Sequence, residues 1–418
     1  MTTPRTTLEN ARQNWAGILA EITKESADRD RSGELPVHTV RRLAATGLGA
    51  YTVPRELGGH GANLTELLTE LELVAEADPN VAQALRPHFA YVQRQLLAPP
   101  AERHTDDLRR VAAGEIFATA SHERSVATVG SLATRLESGD DGQIRLSGRK
   151  HYSTGSLYAD WISVVAEHGG DTVSATVSAT TAGVTRNDDW NGFGQRLTAS
   201  GTTDFVDVLV DPDRVQTLDS EESATPMTAY YQLVLLASLA GVARAVLRDA
   251  AEFVRNRTRV YSHGAGRTAA EDPLVQETVG ELAAASFAAS AIVGRAAEAA
   301  NTAHAAIIAA GGLGSTLTPA LRALVEQAEA AATAAQVSVV PLVLDATTRL
   351  FEVGGASATS RTLAFDRHWR NARTLASHNP TRYKTRAIGE YTLSGSGLTF
   401  GWATGEKSAA PTPRGDNS

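Results

Sequence analysis

Apolar positions along the chain fall into three zones with different periods. In the first, residues 1–113, the stretch NARQNWAGILAEITKESADRD places Trp15, Ile18, Leu19 and Ile22 three and four apart. That spacing is the buried stripe of an amphipathic helix. PVHTVRRLAATGLGA opens on Pro36 and closes on glycine, ordinary helix punctuation. PRELGGHGANL reads as a turn, with Asn63 placed to cap the helix TELLTELELVAEA. DPNVAQALRPHFAY puts Pro79 near a helix start. A break is expected before Pro87, because proline lacks an N–H and crowds the preceding turn.

In the second zone, residues 114–215, IFATAS, QIRLSG, WISVVAEH, TVSATVSAT and FVDVLVDP alternate or run β-branched between Gly, Asp and Asn turns. These are strand signals. The third zone, 216–405, is helical again and rich in alanine. Segments such as GELAAASFAASAIVGRAAEAANTAHAAIIAAG carry small residues all round, so helices can approach closely in a bundle or a subunit interface. The predicted fold is mainly α with a β-domain: an N-terminal helical domain (1–113), a middle β-domain (114–215), a C-terminal helical bundle (216–405) and a polar, disordered tail (406–418).

Composition narrows the function classes. The 418 residues are 42% hydrophobic and 21% charged, enough for a sizeable core. A net charge of -8 argues against nucleic acid as a partner. With no cysteine, disulfides, thiolate zinc sites and a cysteine nucleophile are excluded, and a reducing compartment fits. MTTPRTTLENARQNW lacks the apolar core of a signal peptide, so a cytoplasmic location is expected. No unbroken run of about 18 apolar residues occurs, and no membrane span is expected.

Candidate chemistry is sparse. GGLGS at 311–315 follows an alanine-rich helix and not a strand, so a dinucleotide reading fails its context and a helix-to-helix loop is expected. The eleven histidines show no HExxH and no metal-ligand spacing. FDRHWRNARTLASHNP, at 365–380, is the most concentrated segment. A helix from about Thr359 to Ala376 would set Arg367, Arg370 and Arg373 on one face. His378 would then stand near a helix C-terminus, where the dipole favours the protonated imidazole, a proton donor. The plainer reading is a solvated basic face with a capping histidine. Between Glu352 and Glu390 the only acid is Asp366, against six Lys/Arg from Arg367 to Arg386, a balance that suits a bound anion such as a phosphate.

Several longer motifs stand in one order: VPRELGGHGA, VTRNDDWNGFGQRLTASGTTDFVDVLV at 184–210, EDPLVQ, FEVGGAS and FDRHWRNARTLASHNPTRYK. Over roughly residues 10–405 the chain resembles the acyl-CoA dehydrogenase superfamily. Within it, the chain is similar to the flavin-dependent monooxygenase branch typified by dibenzothiophene monooxygenase. The resemblance implies an N-terminal helical domain, a middle β-barrel-like domain and a C-terminal four-helix bundle, assembled as a homotetramer. It implies a reduced flavin between β-domain and bundle, helped by a neighbouring subunit. Thr119 and Ser121 in FATASHE, with Ser153 and Thr154 in KHYSTG, match flavin-contacting strands. Arg259 in RTRVYS matches the phosphate-holding arginine. Gly354, Gly355 and Ser357 in FEVGGAS match cofactor contacts, with Ser357 standing where the branch has an arginine. His378 matches the histidine that assists the oxygenated flavin. Gln83 and Pro87 replace a histidine and a tyrosine beside the substrate, and His88 is retained as a candidate for substrate contact and proton delivery.

Two features favour the monooxygenase branch over a dehydrogenase. No glutamate lies between 353 and 389 to act as the base that removes a thioester α-proton. YSHGAGRTAAEDP lacks the RxxFG pattern that grips FAD in the dehydrogenases, so reduced FMN is expected, with FAD the alternative. The resemblance thus implies a two-component monooxygenase. A separate flavin reductase would supply reduced flavin, and dioxygen would give a C4a-hydroperoxyflavin. That species would oxygenate a small molecule at sulfur or nitrogen. An acyl-CoA dehydrogenase and a non-enzymatic scaffold on the same fold stand as alternatives.

Overall fold

The computed structural model describes residues 4–124, 132–139, 141–218, 225–313 and 317–400. The tail 406–418, Gly314 and Ser315 lie outside them. The N-terminal unit comprises α1 (Pro4–Ser32), α2 (Val37–Leu43), α3 (Leu64–Ala77), α4 (Pro79–Leu97) and α5 (Thr105–Ala112). Trp15, Ile18 and Ile22 of the α1 stripe are buried. Asn63 caps α3 reciprocally: its side chain accepts from the Glu66 N–H, and the Glu66 carboxylate accepts from the Asn63 N–H. Such a cap contributes about 1 kcal/mol.

The break expected before Pro87 does not occur, because α4 runs through it to Leu97. Proline forfeits one bond, to the Gln83 carbonyl. Every other α4 residue except Arg86 and Arg94 is buried, and that packing outweighs the lost bond.

Among the described residues, eight strands form one mixed sheet: β1 (Phe117–Ala120), β2 (Arg135–Ser138), β3 (Ile144–Lys150), β4 (Trp161–His168), β5 (Asp171–Ser178), β6 (Val184–Arg186), β7 (Thr203–Val210) and β8 (Val215–Thr217). The order is β6-β7-β3-β2-β4-β5-β8, with β1 parallel to β4 from Phe117↔Trp161 to Ala120↔Val164. Placing β1 on β4 brings the end of β1, and the residues after it, against α4.

The C-terminal unit contains α6 (Met227–Asn256), α7 (Pro273–Ala309), α8 (Pro319–Arg349), α9 (Asp366–Ala376) and α10 (Thr381–Ser394). Small residues permit the closeness expected of them: a Cβ on Gly241 of α6 would stand 2.4 Å from the Glu72 carbonyl of α3. Three helices, Met227–Asn256, Pro273–Ala309 and Pro319–Val353, are long and apolar enough to cross a membrane by length and composition. Polar and charged residues interrupt each of them, so none shows as an unbroken apolar run. In α6 that apolar surface is used inside the protein, its most apolar window being 83% buried. The chain turns from α7 at Gly311–Leu313, where the Leu313 N–H donates to the Leu97 carbonyl at 2.7 Å.

The basic segment differs from expectation in two ways. Its helix starts at Asp366 and not near Thr359: Gly355–Thr359 is a 3-10 turn, and Ala364 has φ +49°. Most of the cations on which the anion reading of the segment relied are already engaged within the fold. Four of its six cations meet acids, most of them distant in sequence: Arg367 with Asp249 at 2.6 Å, Arg370 with Asp30 at 2.6 Å, Lys384 with Glu329 at 2.7 Å and Arg386 with Glu390 at 3.4 Å.

Candidate active site

A cavity of about 1560 Å³ opens between α4, the end of β1, the N-terminal half of α6 and the turn after α9. A site for one drug-sized molecule runs to roughly 300–1,000 Å³, so this one has room for two ligands. Thr119 and Ser121 reach it from β1 and its continuation, Thr154 from the turn after β3, and His378 from beyond α9. The Thr154 hydroxyl shares a hydrogen bond of 2.9 Å with Ser200.

Helix α4 supplies the facing wall. Gln83, Arg86 and Pro87 all line the cavity, since spacings of three and four residues share one helix face. The buried Gln83 Oε1 has no hydrogen-bond partner among the described residues, and neither amide atom of the buried Gln195 has one. Gln195 is held there with φ +55°, its N–H donating to Asn371 Oδ1 at 2.7 Å. Orphaned polar atoms in a cavity wall carry a cost that a hydrogen-bonding ligand relieves. The room and these donors and acceptors together fit a flavin ring with its carbonyls and ring N–H.

The charge state of His378 is opposite to expectation. Arg86 Nη1 stands 3.0 Å from His378 Nε2. A guanidinium can only donate, so Nε2 is the acceptor and carries no proton. Loss of hydration, then the Arg86 charge, lowers this imidazole below its ordinary value. Its ring faces the cavity and is exposed there, so cavity water moderates the size of the shift. The direction rests on Arg86. A full charge in hydrogen-bond contact outweighs the half charge of a helix end. The turn itself is fixed by Asn379, which donates to Gln232 Oε1 at 2.8 Å and whose carbonyl accepts from Gln336 at 2.9 Å.

His88 does not reach the cavity, which corrects its assignment to substrate and proton delivery. It is wholly buried. Its Nε2 bonds the Gly49 carbonyl at 2.9 Å, and its Nδ1 accepts from the Phe117 N–H at 3.1 Å. The ring is therefore the neutral Nε2–H tautomer, and burial lowers its pKa to about 4. It is a strut between the N-terminal unit, α4 and the strand that carries Thr119. Ser153 is likewise fully buried, its hydroxyl without a partner among the described residues, and it stands outside the cavity lining.

Arg259, Gly354, Gly355 and Ser357 form a second group. The Arg257 guanidinium ties them together, donating to the Arg259 carbonyl at 3.0 Å and the Gly354 carbonyl at 2.8 Å. Arg259 and Ser357 are exposed. From Tyr231, which lines the cavity, to the end of α6 at Asn256 is roughly 38 Å of helix. One chain therefore does not bring this group to Thr119 and Thr154.

Sequence reasoning missed Arg86, Tyr231 and Gln195. For Arg86 a signal existed: a lone cation beside a proline in an otherwise apolar stretch. Nothing local marked the other two. The loop after β1 is anchored by a pair that was also unforeseen, Lys150 to Glu123 at 2.7 Å, with the lysine fully buried.

Comparison with known proteins matches two family profiles, "Acyl-CoA dehydrogenase, N-terminal domain" over residues 9–115 and "Acyl-CoA dehydrogenase, C-terminal domain" over residues 233–383. The chain is 30% identical over 415 residues to a dibenzothiophene monooxygenase of Mycolicibacterium goodii, spanning 94% of this chain and 97% of that one. Among solved structures, FMN-bound TdsC from Paenibacillus sp. A11-2 superposes with a TM-score of 0.81 at 27% identity, covering 93% of this chain and 98% of its own. Methanesulfinate monooxygenase MsuC from Pseudomonas fluorescens does so with a TM-score of 0.78 at 27% identity, covering 96% and 100%.

Proposed function

The chain belongs to the flavin-dependent monooxygenase branch of the acyl-CoA dehydrogenase superfamily and uses reduced FMN; from that premise we propose how it does so and on what. We infer a two-component enzyme, served by a separate flavin reductase, that oxygenates a small organic molecule at sulfur, with nitrogen the second choice. The sulfur reading is supported by what the similar proteins are named for, a thiophene and a sulfinate. Bound FMN would supply the electrons that activate dioxygen, by the route expected from the sequence. The chain's own part is to hold the ring, exclude water and place the substrate. Thr119, Ser121 and Thr154 would hold it from the sheet side. Arg259, Gly354, Gly355 and Ser357 would serve the phosphate end in a neighbouring subunit's cavity, which calls for at least a dimer and suits the homotetramer expected from the resemblance. Phe287 and Leu274, exposed on α7, offer apolar surface for that assembly. His378, neutral and bonded to Arg86, is assigned to the reaction side of the cavity.

The observation that supports the reading against a dehydrogenase is that the described lining residues offer no available carboxylate base. Among the described lining residues only Glu102 and Glu123 are acids; Glu102 is exposed and Glu123 is bound to Lys150. The test combines the chain with an NADH-driven flavin reductase, FMN, dioxygen and a panel of thioethers, sulfones, sulfinates and primary amines. Products one oxygen heavier are expected. Anaerobic bleaching of the oxidised flavoprotein by an acyl-CoA thioester would establish the dehydrogenase instead. Failure to bind reduced FMN would establish a scaffold. Light scattering at micromolar concentration should return four times the chain mass.

A further inference from the structure

The α4 wall holds a charge that has no counter-charge among the described residues. Arg86 is part-buried in the cavity wall. Among the described residues, no carboxylate stands within ion-pair distance of its guanidinium. Its surroundings are His378 at 3.0 Å, the face of Tyr231 at 5.6 Å from ring centroid, and nearby Tyr230. His122, also on the cavity wall, is kept neutral by lost hydration and by the nearby positive charge of Arg86. The site is thus one fixed cation among neutral rings. A cation drawn out of water is costly unless paired, and Arg367 and Arg370 of α9 each have their acid. The pairing partner that the described residues do not supply is one that a ligand can bring.

What surrounds Arg86 indicates the shape of that ligand. Met227, Tyr231 and Leu235 follow at i, i+4 and i+8 on one face of α6, and Leu375 faces the same cavity from α9. Gln83, one turn before Arg86, adds an unpartnered carbonyl oxygen. Around Arg86 the wall reads as a cationic fork, an acceptor beside it and an apolar floor; Arg94, two turns further along α4, also lines the cavity, with its guanidinium donating to the Ser163 hydroxyl at 3.4 Å.

Resting on the monooxygenase reading, we propose that the substrate is an organic anion: a compact apolar body bearing a carboxylate, sulfinate or sulfonate group seated on Arg86. A guanidinium meets such planar or pyramidal oxyanions with two parallel hydrogen bonds. His378 accepts one guanidinium hydrogen and so turns the fork. It is a positioning residue for this contact. The phosphate of FMN has the same oxyanion chemistry, and the experiment must separate the two sources.

Benzenesulfinate and benzoate serve as probes, with methyl phenyl sulfone and benzamide as neutral counterparts. Binding to the full chain is measured by calorimetry, with and without FMN, and without turnover. The anions should bind at least about tenfold more tightly than their neutral counterparts, the span expected of one charge-assisted contact. Arg86→Met should erase that preference and leave FMN affinity within about twofold, and Arg86→Lys should keep part of it. Equal binding of anions and neutral probes to the unaltered chain would overturn the proposal. So would a preference that survives Arg86→Met, or a loss of FMN affinity in Arg86→Met with the preference intact, which would assign the guanidinium to the phosphate. If Arg86→Met does not fold, the Arg86→Lys ratio decides: an unchanged ratio, or none in the unaltered chain, refutes it. A chain that binds the anions but never binds reduced FMN would sink the monooxygenase reading alone.

Discussion

Replacing His88 by alanine separates a strut from a catalyst. The ring holds two backbone groups that have no other partner in prospect, the Gly49 carbonyl at 2.9 Å and the Phe117 N–H at 3.1 Å. It also fills space beside Gly49, where an added Cβ would lie 3.1 Å from Nε2. Each buried backbone group left unsatisfied costs about 1–3 kcal/mol, so His88→Ala should lose about 2–6 kcal/mol, a large part of an ordinary domain's stability. The neutral ring also writes a pH signature. Its folded pKa lies at about 4, below the ordinary 6.5, so the unfolded chain binds the proton first as pH falls. The ring's contribution is whole above pH 6.5 and is lost on the way down to pH 4, at about 1.4 kcal/mol per pH unit. Urea unfolding followed by circular dichroism at pH 7.5 and 5.5 reads both effects. The variant should unfold at lower urea and should lack that share of the acid slope. Product formed per flavin oxidised, measured on the folded variant saturated with FMN, should stay close to that of the unaltered protein. A variant of unchanged stability whose coupling collapses would refute the structural role and restore the catalytic one.

Three further outcomes follow from the geometry. Coupling between flavin oxidation and product should show no ionisation near pH 6.5 from His378, because lost hydration and the Arg86 guanidinium at 3.0 Å lower that imidazole; an inflection there that disappears in His378→Gln would contradict the neutral assignment. Asp249→Ala should cost about 3–5 kcal/mol in a thermal melt, since burial alone would raise this carboxyl and the contacts to His368 and Arg367, at 2.8 and 2.6 Å, hold it well below the carboxylate range; a change under 1 kcal/mol would show that the cluster is expendable. Gly241→Ala should cost about 1–3 kcal/mol through overpacking against the Glu72 carbonyl, and an unchanged denaturation midpoint would mean that α3 and α6 separate freely.

The local code was legible. Trp15, Ile18 and Ile22 are buried as their spacing requires, and Asn63 caps α3 as a short polar side chain before an apolar run does. These signals sit within one or two turns of chain and depend on backbone geometry alone. The ordered motifs carried the family and the flavin, because long stretches in register are hard to match by chance. The charge of a side chain was not legible. The segment 365–380 read as a cationic patch because its acids, Asp30 and Asp249, lie hundreds or more than a hundred residues away. His378 read as a proton donor from its place at a helix end, and only the fold brings Arg86, 292 residues earlier, to its Nε2. His88 read as a substrate contact from its neighbours in sequence, yet a helix turns adjacent residues about 100° apart. Gln83, Arg86 and Pro87 face the cavity, while His88 turns into the core. Position in sequence determined which elements form. Which charges meet, which stay unmet, and which face of α4 sees the ligand are through-space properties that only the tertiary structure decides.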